Sequence, residues 1–279
     1  MTKATILIPA HNEAAVIGRT LWFLSRGLNL AEFQVIVIAN GCSDATAARA
    51  RAALPQAQVI ECDTAGKCHA MNLGYAAADK SAPVVCMDAD LDVTAESVAA
   101  LSVAVTAEGT DAACGRMDVD TTHASTAVRA FYQGWRSNPY FDRGKFGGLF
   151  ALSAKGAEQV FPLPDVTADD EYIRRSFCDA QIATVSRCIF VARSPTKLSA
   201  LVSIRRRSLR GAREISKLGL PSPERTSRFR MLGRAFISPR DALPIAIFLA
   251  VVTWVRLVLL FETSQSLRWE RDLTSRVVR

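Results

Sequence analysis

Val84-Val85-Cys86-Met87-Asp88-Ala89-Asp90 is a run of four apolar residues followed by two carboxylates with a single residue between them. An uninterrupted apolar run of that length predicts a strand covered on both faces, because a strand with one solvated face would alternate. The same pattern recurs upstream, where Thr5–Ile8, Gln34–Ile38 and Gln58–Glu61 also read as strands. Helical patterns at Glu13–Arg26, Ser43–Ala53, Lys67–Ala78 and Ala95–Glu108 separate and follow them. This alternation predicts an α/β fold with a mostly parallel central sheet flanked by helices. Polar clusters sit at the carboxyl end of each strand: His11-Asn12-Glu13, Asn40 to Asp44, Asp63 to Lys67, and Asp88-Ala89-Asp90. Ligands bind at that edge of such sheets.

Downstream the pattern is less regular. A strand is expected at Ala112–Arg116, a helix around Ser125–Trp135, and a Gly-rich turn into a strand at Gly147–Ser153. A helix over Asp169–Cys178, capped by Thr167 or Asp169, precedes a β-prone stretch at Ile182–Ala192. No GxGxxG follows the first strand and no GxxxxGK[ST] occurs, which excludes the dinucleotide-binding and P-loop readings. Asp88 and Asp90, two residues apart on one strand end, share a face of the pleat. Two convergent carboxylates select a hard cation, Mg²⁺ or Mn²⁺, able to bridge the diphosphate of a bound nucleotide. The plain alternative is a pair of loop acids capping the next helix.

The 279 residues are 49% hydrophobic and 22% charged, a globular composition, and the mean hydropathy of +0.14 is high for a purely soluble chain. Seven cysteines lack any CxxC pair, which argues against a zinc site and a disulfide framework and points to a reducing compartment. The apolar stretch at the start is too short for a secretory signal, so no export is expected. The net charge of +7 is concentrated: residues 203–241 hold eleven Lys/Arg against Glu214, Glu224 and Asp241. That block precedes twenty residues, Ala242 to Phe261, interrupted only by Pro244, Thr253 and Arg256. A polybasic segment beside an apolar helix predicts contact with the cytoplasmic face of a membrane, peripheral or through a single helix. A buried core helix is the other reading. With Phe229 and Phe236 as its only aromatics, the block matches no nucleic-acid-reading motif, and no nucleic acid partner is expected.

Taken together, four segments resemble family 2 glycosyltransferases of the GT-A fold, over roughly residues 3–215. Ile6-Leu7-Ile8-Pro9-Ala10-His11-Asn12-Glu13 is similar to the family's opening strand and turn, and Val37-Ile38-Ala39-Asn40-Gly41-Cys42-Ser43-Asp44 to its base-binding loop. Gly66-Lys67-x-x-Ala70-x-Asn72-x-Gly74 resembles its third element, and Met87-Asp88-Ala89-Asp90 its metal motif. Gly147-Gly148-Leu149-Phe150-Ala151-Leu152-Ser153 resembles the acceptor-side strand, and Thr167-Ala168-Asp169-Asp170-Glu171-Tyr172 the acidic motif that opens a helix.

The resemblance implies a GT-A domain over 1–215, Rossmann-like, followed at 216–279 by a basic linker, an apolar helix (about 242–261) and a tail. It implies an inverting, metal-dependent transfer of a sugar from a UDP- or GDP-sugar to a hydroxyl acceptor, in glycolipid, envelope polysaccharide or other glycoconjugate synthesis. Asp88 and Asp90 would hold Mg²⁺ or Mn²⁺, and Asp170, with Asp169 beside it, would deprotonate the acceptor. Pro9, His11, Glu13, Asn40, Lys67 and Asp88 would meet the nucleotide sugar, Asn40 through its amide. Gly147 and Gly148 would face the acceptor; Trp135 and Tyr140, among aromatic and basic residues before that strand, are either core packing or a wall that an acceptor would meet. Arg207 and Arg210 stand where the family often carries Gln/Arg-x-x-Arg-Trp. The tryptophan is absent, so these two arginines serve either as a phosphate clamp or as lipid contacts. The alternatives are a membrane-peripheral GT-A-like protein without turnover and a nucleotidyltransferase, which would need a Gly-rich triphosphate loop that Pro9 to Glu13 does not supply.

Overall fold

The computed structural model describes residues 2–138, 145–221 and 239–261. One sheet organises the chain, with strand order β3-β2-β1-β4-β7-β6-β8-β5. Its first half is parallel, as expected: β1 (Ala4–Ala10) lies between β2 (Phe33–Asn40) and β4 (Val84–Met87), and β3 (Gln58–Cys62) flanks β2. Beyond β4 the direction reverses. β7 (Lys145–Leu152) pairs antiparallel with β4 and with β6 (Ala112–Asp120), and the two-residue β5 (Asp92–Val93) pairs antiparallel with β8 (Ile182–Arg193).

Alternate residues of the central β1, β2 and β4 enter opposite layers, which is why these strands read as nearly continuous apolar runs. Ile6, Ile8, Val35, Val37, Val85 and Met87 pack on one face with Ile17, Leu21 and Leu24 of α1 (Ile17–Ser25) and with Val98 and Leu101 of α4 (Ala95–Ala104). Leu7, Ile36, Ile38, Val84 and Cys86 pack on the other with Met71 of α3 (Lys67–Ala76) and Ile173 of α7 (Asp169–Arg175). The remaining elements are α2 (Thr46–Ala53), α5 (Thr126–Arg136), α6 (Ala154–Val160), a 3₁₀ turn at Asp179–Gln181, α8 (Leu198–Lys217) and α9 (Pro239–Phe261). Helices α1 and α2 start three to four residues later than their sequence patterns, because the residues ahead of them are drawn into side-chain-bonded turns described below.

Two compact units emerge. The described residues of Met1–Asp118 and Gly144–Ala192 form one, and those of Val119–Arg143 and Arg193–Val277 the other. This grouping differs from the expected boundary at residue 215, and packing explains why. In the second unit Phe131 of α5 lies 5.3 Å, centroid to centroid, from Phe248 of α9. Arg213 of α8 donates through Nη1 to the Leu259 carbonyl at 3.2 Å. At Gly134 the backbone of α5 comes so close to the Pro244 carbonyl that a β-carbon there would collide with it, a small-residue crossing of two helices.

Candidate active site

Strand ends of the first unit build the site. β1 and β2 leave the sheet side by side, Ala10 against Ala39. Asn40 ends β2 with its side chain only 3% exposed. Its Nδ2 donates to the Ala10 carbonyl at 2.9 Å and the Ile38 carbonyl at 3.4 Å, and its Oδ1 accepts from the Gly66 N–H at 3.0 Å. Both ends of the Asn40 amide are thus held by backbone groups. A buried amide must satisfy both of its ends, and here the backbone takes both. His11 Nδ1 lies 2.6 Å from the Asn40 carbonyl oxygen. A carbonyl only accepts, so that nitrogen carries the proton of the bond.

The two loops are locked to each other. Asn12, at φ +50°, accepts through Oδ1 from the Ser43 N–H at 2.7 Å. Asp44 accepts from the N–H of Ala14 at 3.1 Å, from the N–H of Thr46 at 3.0 Å and from the Thr46 hydroxyl. Thr46 Oγ1 in turn accepts from the N–H of Glu13 at 2.8 Å, and Glu13 itself is buried. These bonds take up the backbone donors of Glu13, Ala14 and Thr46 ahead of the two helices, since short polar side chains compete with the helix for such donors.

The acidic turn after β4 is held residue by residue. The Asp88 N–H donates to the Gly148 carbonyl at 2.7 Å, Thr20 Oγ1 to the Ala89 carbonyl at 2.9 Å, and Arg19 Nη2 to the Asp90 carbonyl at 3.2 Å. Arg19 Nε also pairs with Asp92 Oδ1 at 2.7 Å, both side chains being mostly covered. Arg19 and Thr20 carry no sequence signal, because a polar residue on an amphipathic helix reads as its solvated face. Opposite the turn, Gly148 adopts φ +88°, and a β-carbon there would lie 2.6 Å from Asp88 Oδ2. Only glycine holds that conformation without strain while leaving the carboxylate room.

Lys67, the first residue of α3, sits between two acids: its Nζ is 2.7 Å from Asp88 Oδ1 and 2.9 Å from Asp169 Oδ2. A cation is disfavoured at a helix N-terminus, so these carboxylates account for its placement. Burial works against the Lys67 charge, but Asp169, Asp88 and Asp170 outweigh it and hold the ammonium well above the ordinary lysine range. Asp169 is 5% exposed. Burial pushes its carboxyl up to about 6, Lys67 pulls it down, and Asp170 and Asp88 add to the rise. Pro9, Lys67, Met71, Cys86, Met87, Asp88, Gly148, Phe150 and Asp169 line one recess. Asp170 is half-buried, does not line it, and accepts from the Glu171 N–H at 2.9 Å. All seven cysteines are free thiols, and burial raises Cys68 to about 11 and Cys86 further, so both are protonated packing groups.

The donor set fits a hard divalent cation. Asp88 and Asp90 offer carboxylate oxygens, and the missing side chain of Gly148 leaves a space beside Asp88 Oδ2. Among the described residues no group of three or more His, Cys, Asp or Glu side chains forms a metal cage. Such a site suits Mg²⁺ or Mn²⁺, which share their coordination with phosphate oxygens and water, and does not suit structural zinc.

The other sequence candidates fall elsewhere. Gly147 is half-buried in β7 beside Gly148. Trp135 is buried in the second unit, edge-on to Tyr132 at 5.5 Å, so its ring packs a core and offers no face to an acceptor. Tyr140 lies outside the described residues. Arg207 and Arg210 belong to α8 of the second unit, both half-buried.

No curated protein sequence matches the chain. Among solved structures it resembles glucosyl-3-phosphoglycerate synthase from Mycobacterium tuberculosis, in complex with Mn²⁺, UDP-glucose and glycerol 3-phosphate, at 21% identity and a TM-score of 0.56, covering 78% of this chain and 81% of that one. It also resembles a mannosyltransferase from Pyrobaculum calidifontis in complex with GDP-mannose and Mn²⁺, at 16% identity and a TM-score of 0.57, covering 92% and 78%. At these identities the likeness is one of fold. The sequence model described as glycosyl transferase family 2 matches residues 5–153, from β1 through β7, more than half the chain. With that match running through the acidic turn and the Gly148 strand, the chain belongs to glycosyl transferase family 2 and is a glycosyltransferase.

Proposed function

We propose that the protein transfers a sugar from a UDP- or GDP-sugar to a hydroxyl acceptor with inversion at the anomeric carbon, in the synthesis of a glycolipid, envelope polysaccharide or other glycoconjugate. The observation that carries this reading is the recess where Lys67 joins Asp88, at the end of β4, to the buried Asp169. The similar folds with bound UDP-glucose and GDP-mannose support the donor class, and their Mn²⁺ supports a divalent cation.

Asp88 and Asp90 would hold Mg²⁺ or Mn²⁺, which when bound neutralises charge on the donor diphosphate. Arg19, Thr20 and Gly148 fix the backbone that carries these two acids. His11 and Glu13, carried by the interlocked loops, would meet the nucleotide. Asp169 is the general base. It lines the recess, which Asp170 does not, and a carboxyl near 6 is ionised at neutral pH yet basic enough to take a hydroxyl proton as the acceptor oxygen attacks. Lys67 keeps Asp169 and Asp88 apart in charge and fixed in position. The net charge of +8 over residues 203–241, beside the apolar α9, supports work at the cytoplasmic face of a membrane.

The test is nucleoside diphosphate release from a panel of UDP- and GDP-sugars with Mn²⁺ or Mg²⁺, using wild type, Asp90→Ala, Asp169→Asn and Asp170→Asn. Release that needs the metal and vanishes in Asp90→Ala and Asp169→Asn is expected. Full transfer by Asp169→Asn alongside an inactive Asp170→Asn would return the base role to Asp170, and a folded protein that binds no sugar nucleotide would overturn the reading.

A further inference from the structure

α9 is long and apolar enough to cross a membrane by length and composition, yet its two sides differ. Ile245, Phe248, Val255 and Leu259 are buried in the second unit. Leu243, Ala246, Ala250, Thr253, Trp254, Leu257, Leu260 and Phe261 are exposed, and they recur at the three- and four-residue gaps that keep one helix face in line. Leu243 at 68%, Trp254 at 60% and Leu260 at 69% exposure make this an uncovered apolar stripe running the length of the helix. Arg256, the helix's exposed charge in this run, falls at the margin of the stripe.

The covered side is pinned near both ends. Phe131 and Gly134 of α5 take the Phe248 ring and the Pro244 backbone, and Arg213 of α8 bonds the Leu259 carbonyl. Those partners cannot follow α9 into hydrocarbon. α5 exposes Arg129, Gln133 and Arg136, and α8 exposes Arg213 and Lys217. Charged and amide groups are strongly disfavoured at bilayer depth.

We infer that α9 lies in the plane of an anionic membrane, its Leu243-to-Phe261 stripe sunk into the headgroup–acyl boundary and its α5-facing side kept in the protein, rather than crossing the bilayer. The occupant is lipid because the chain leading into α9 is cationic in sequence: residues 203–241 carry eleven Lys/Arg against three acids, a charge that draws an exposed apolar helix face to anionic lipid. This deepens the membrane reading given above and rests on it; it is independent of the assignment of the catalytic acids.

The full chain, carrying an epitope at each end, is mixed with sealed vesicles of phosphatidylglycerol or phosphatidylcholine, and both floatation and protease access to the tags are measured. Expected are binding at least about tenfold stronger to phosphatidylglycerol, both tags digested with vesicles intact, and about tenfold weaker floatation for Leu257→Ser/Leu260→Ser. Tryptophan fluorescence lost between wild type and Trp254→Phe should be quenched by shallow brominated lipid more than by deep. Floatation with one tag protected would overturn the in-plane geometry and leave the membrane reading intact. Absence of binding to either vesicle would overturn both, as would a stripe variant that changes only the oligomeric state. Donor hydrolysis by the Leu257→Ser/Leu260→Ser protein should equal that of wild type, which separates this test from the catalytic one.

Discussion

Asp169 and Lys67 set the first expectation, a pH profile. The carboxyl near 6 must lose its proton to act as a base, so kcat/KM should fall as pH drops through about 6. Because the Lys67 ammonium pulls Asp169 down, Lys67→Met should move that acid limb to higher pH, and Asp169→Asn should abolish it along with most turnover. A limb unmoved in Lys67→Met would remove the coupling. Gly148→Ala should lose about 1–2 kcal/mol of stability by thermal melting, from its φ of +88° and the approach to Asp88 Oδ2, and should weaken Mn²⁺ binding by calorimetry. At this scale the sequence was informative where chemistry repeats a motif and silent where geometry decides. The Asp88 and Asp90 pair was visible in its spacing, whereas Lys67 and Gly148 were singled out through the family resemblance, which gave no sign that both would meet Asp88. Nothing in the order of residues separates Asp169 from Asp170, since the choice depends on which of two adjacent side chains turns inward at a helix start. Asn40 shows the same limit: its place at a strand end is plain in the sequence, but the backbone bonds at both ends of its amide are not.

α1 does more than cover the sheet. Arg19 and Thr20, one turn into it, hold the Asp90 and Ala89 carbonyls, so the helix serves as a clamp for the acidic turn. Arg19→Met should keep the fold by circular dichroism yet raise the Mn²⁺ concentration for half-maximal donor binding about tenfold, in line with the ~1.5–3 kcal/mol carried by hydrogen bonds to charged groups. Arg19→Lys should recover part of this through Asp92. Unaltered Mn²⁺ dependence in Arg19→Met would deny the clamp. In the second unit, Gly134→Val should part α5 from α9 and speed hydrogen exchange in both, whereas the same change at the exposed Gln133 should not. The parallel strands were legible because short apolar runs bounded by polar turns alternate with helical patterns. The antiparallel β7 and the two-residue β5 were not, since strand direction and partner are set by long-range pairing and leave no periodic trace.

Across the whole molecule the charge is uneven. The net of +7 is more than accounted for by residues 203–241, which leaves the rest of the chain close to neutral. Vesicle binding should therefore weaken steeply between about 0.05 and 0.5 M salt as the screening length shortens, while the half-saturating donor concentration, set inside a covered recess, should change much less. Parallel salt curves for the two would contradict that division. The grouping of α5 with α8 and α9 was not legible, because it joins segments from before and after β7 through Phe131, Gly134 and Phe248, whose apolar pattern fits any core.

β4 lies between β1 and β7, and this ordering sets a schedule on the ribosome. Its first neighbour has been made by the time Val84 emerges, but its second begins at Lys145, roughly sixty residues and, at ~5–20 residues per second, several seconds later. For that interval Val84-Val85-Cys86-Met87 is an apolar strand with one open edge in a nascent chain, the segment on which a chaperone would be expected to act. The strand that closes the edge also brings Gly148 to Asp88, so the end of aggregation risk comes first and the recess is completed only when Asp169 follows.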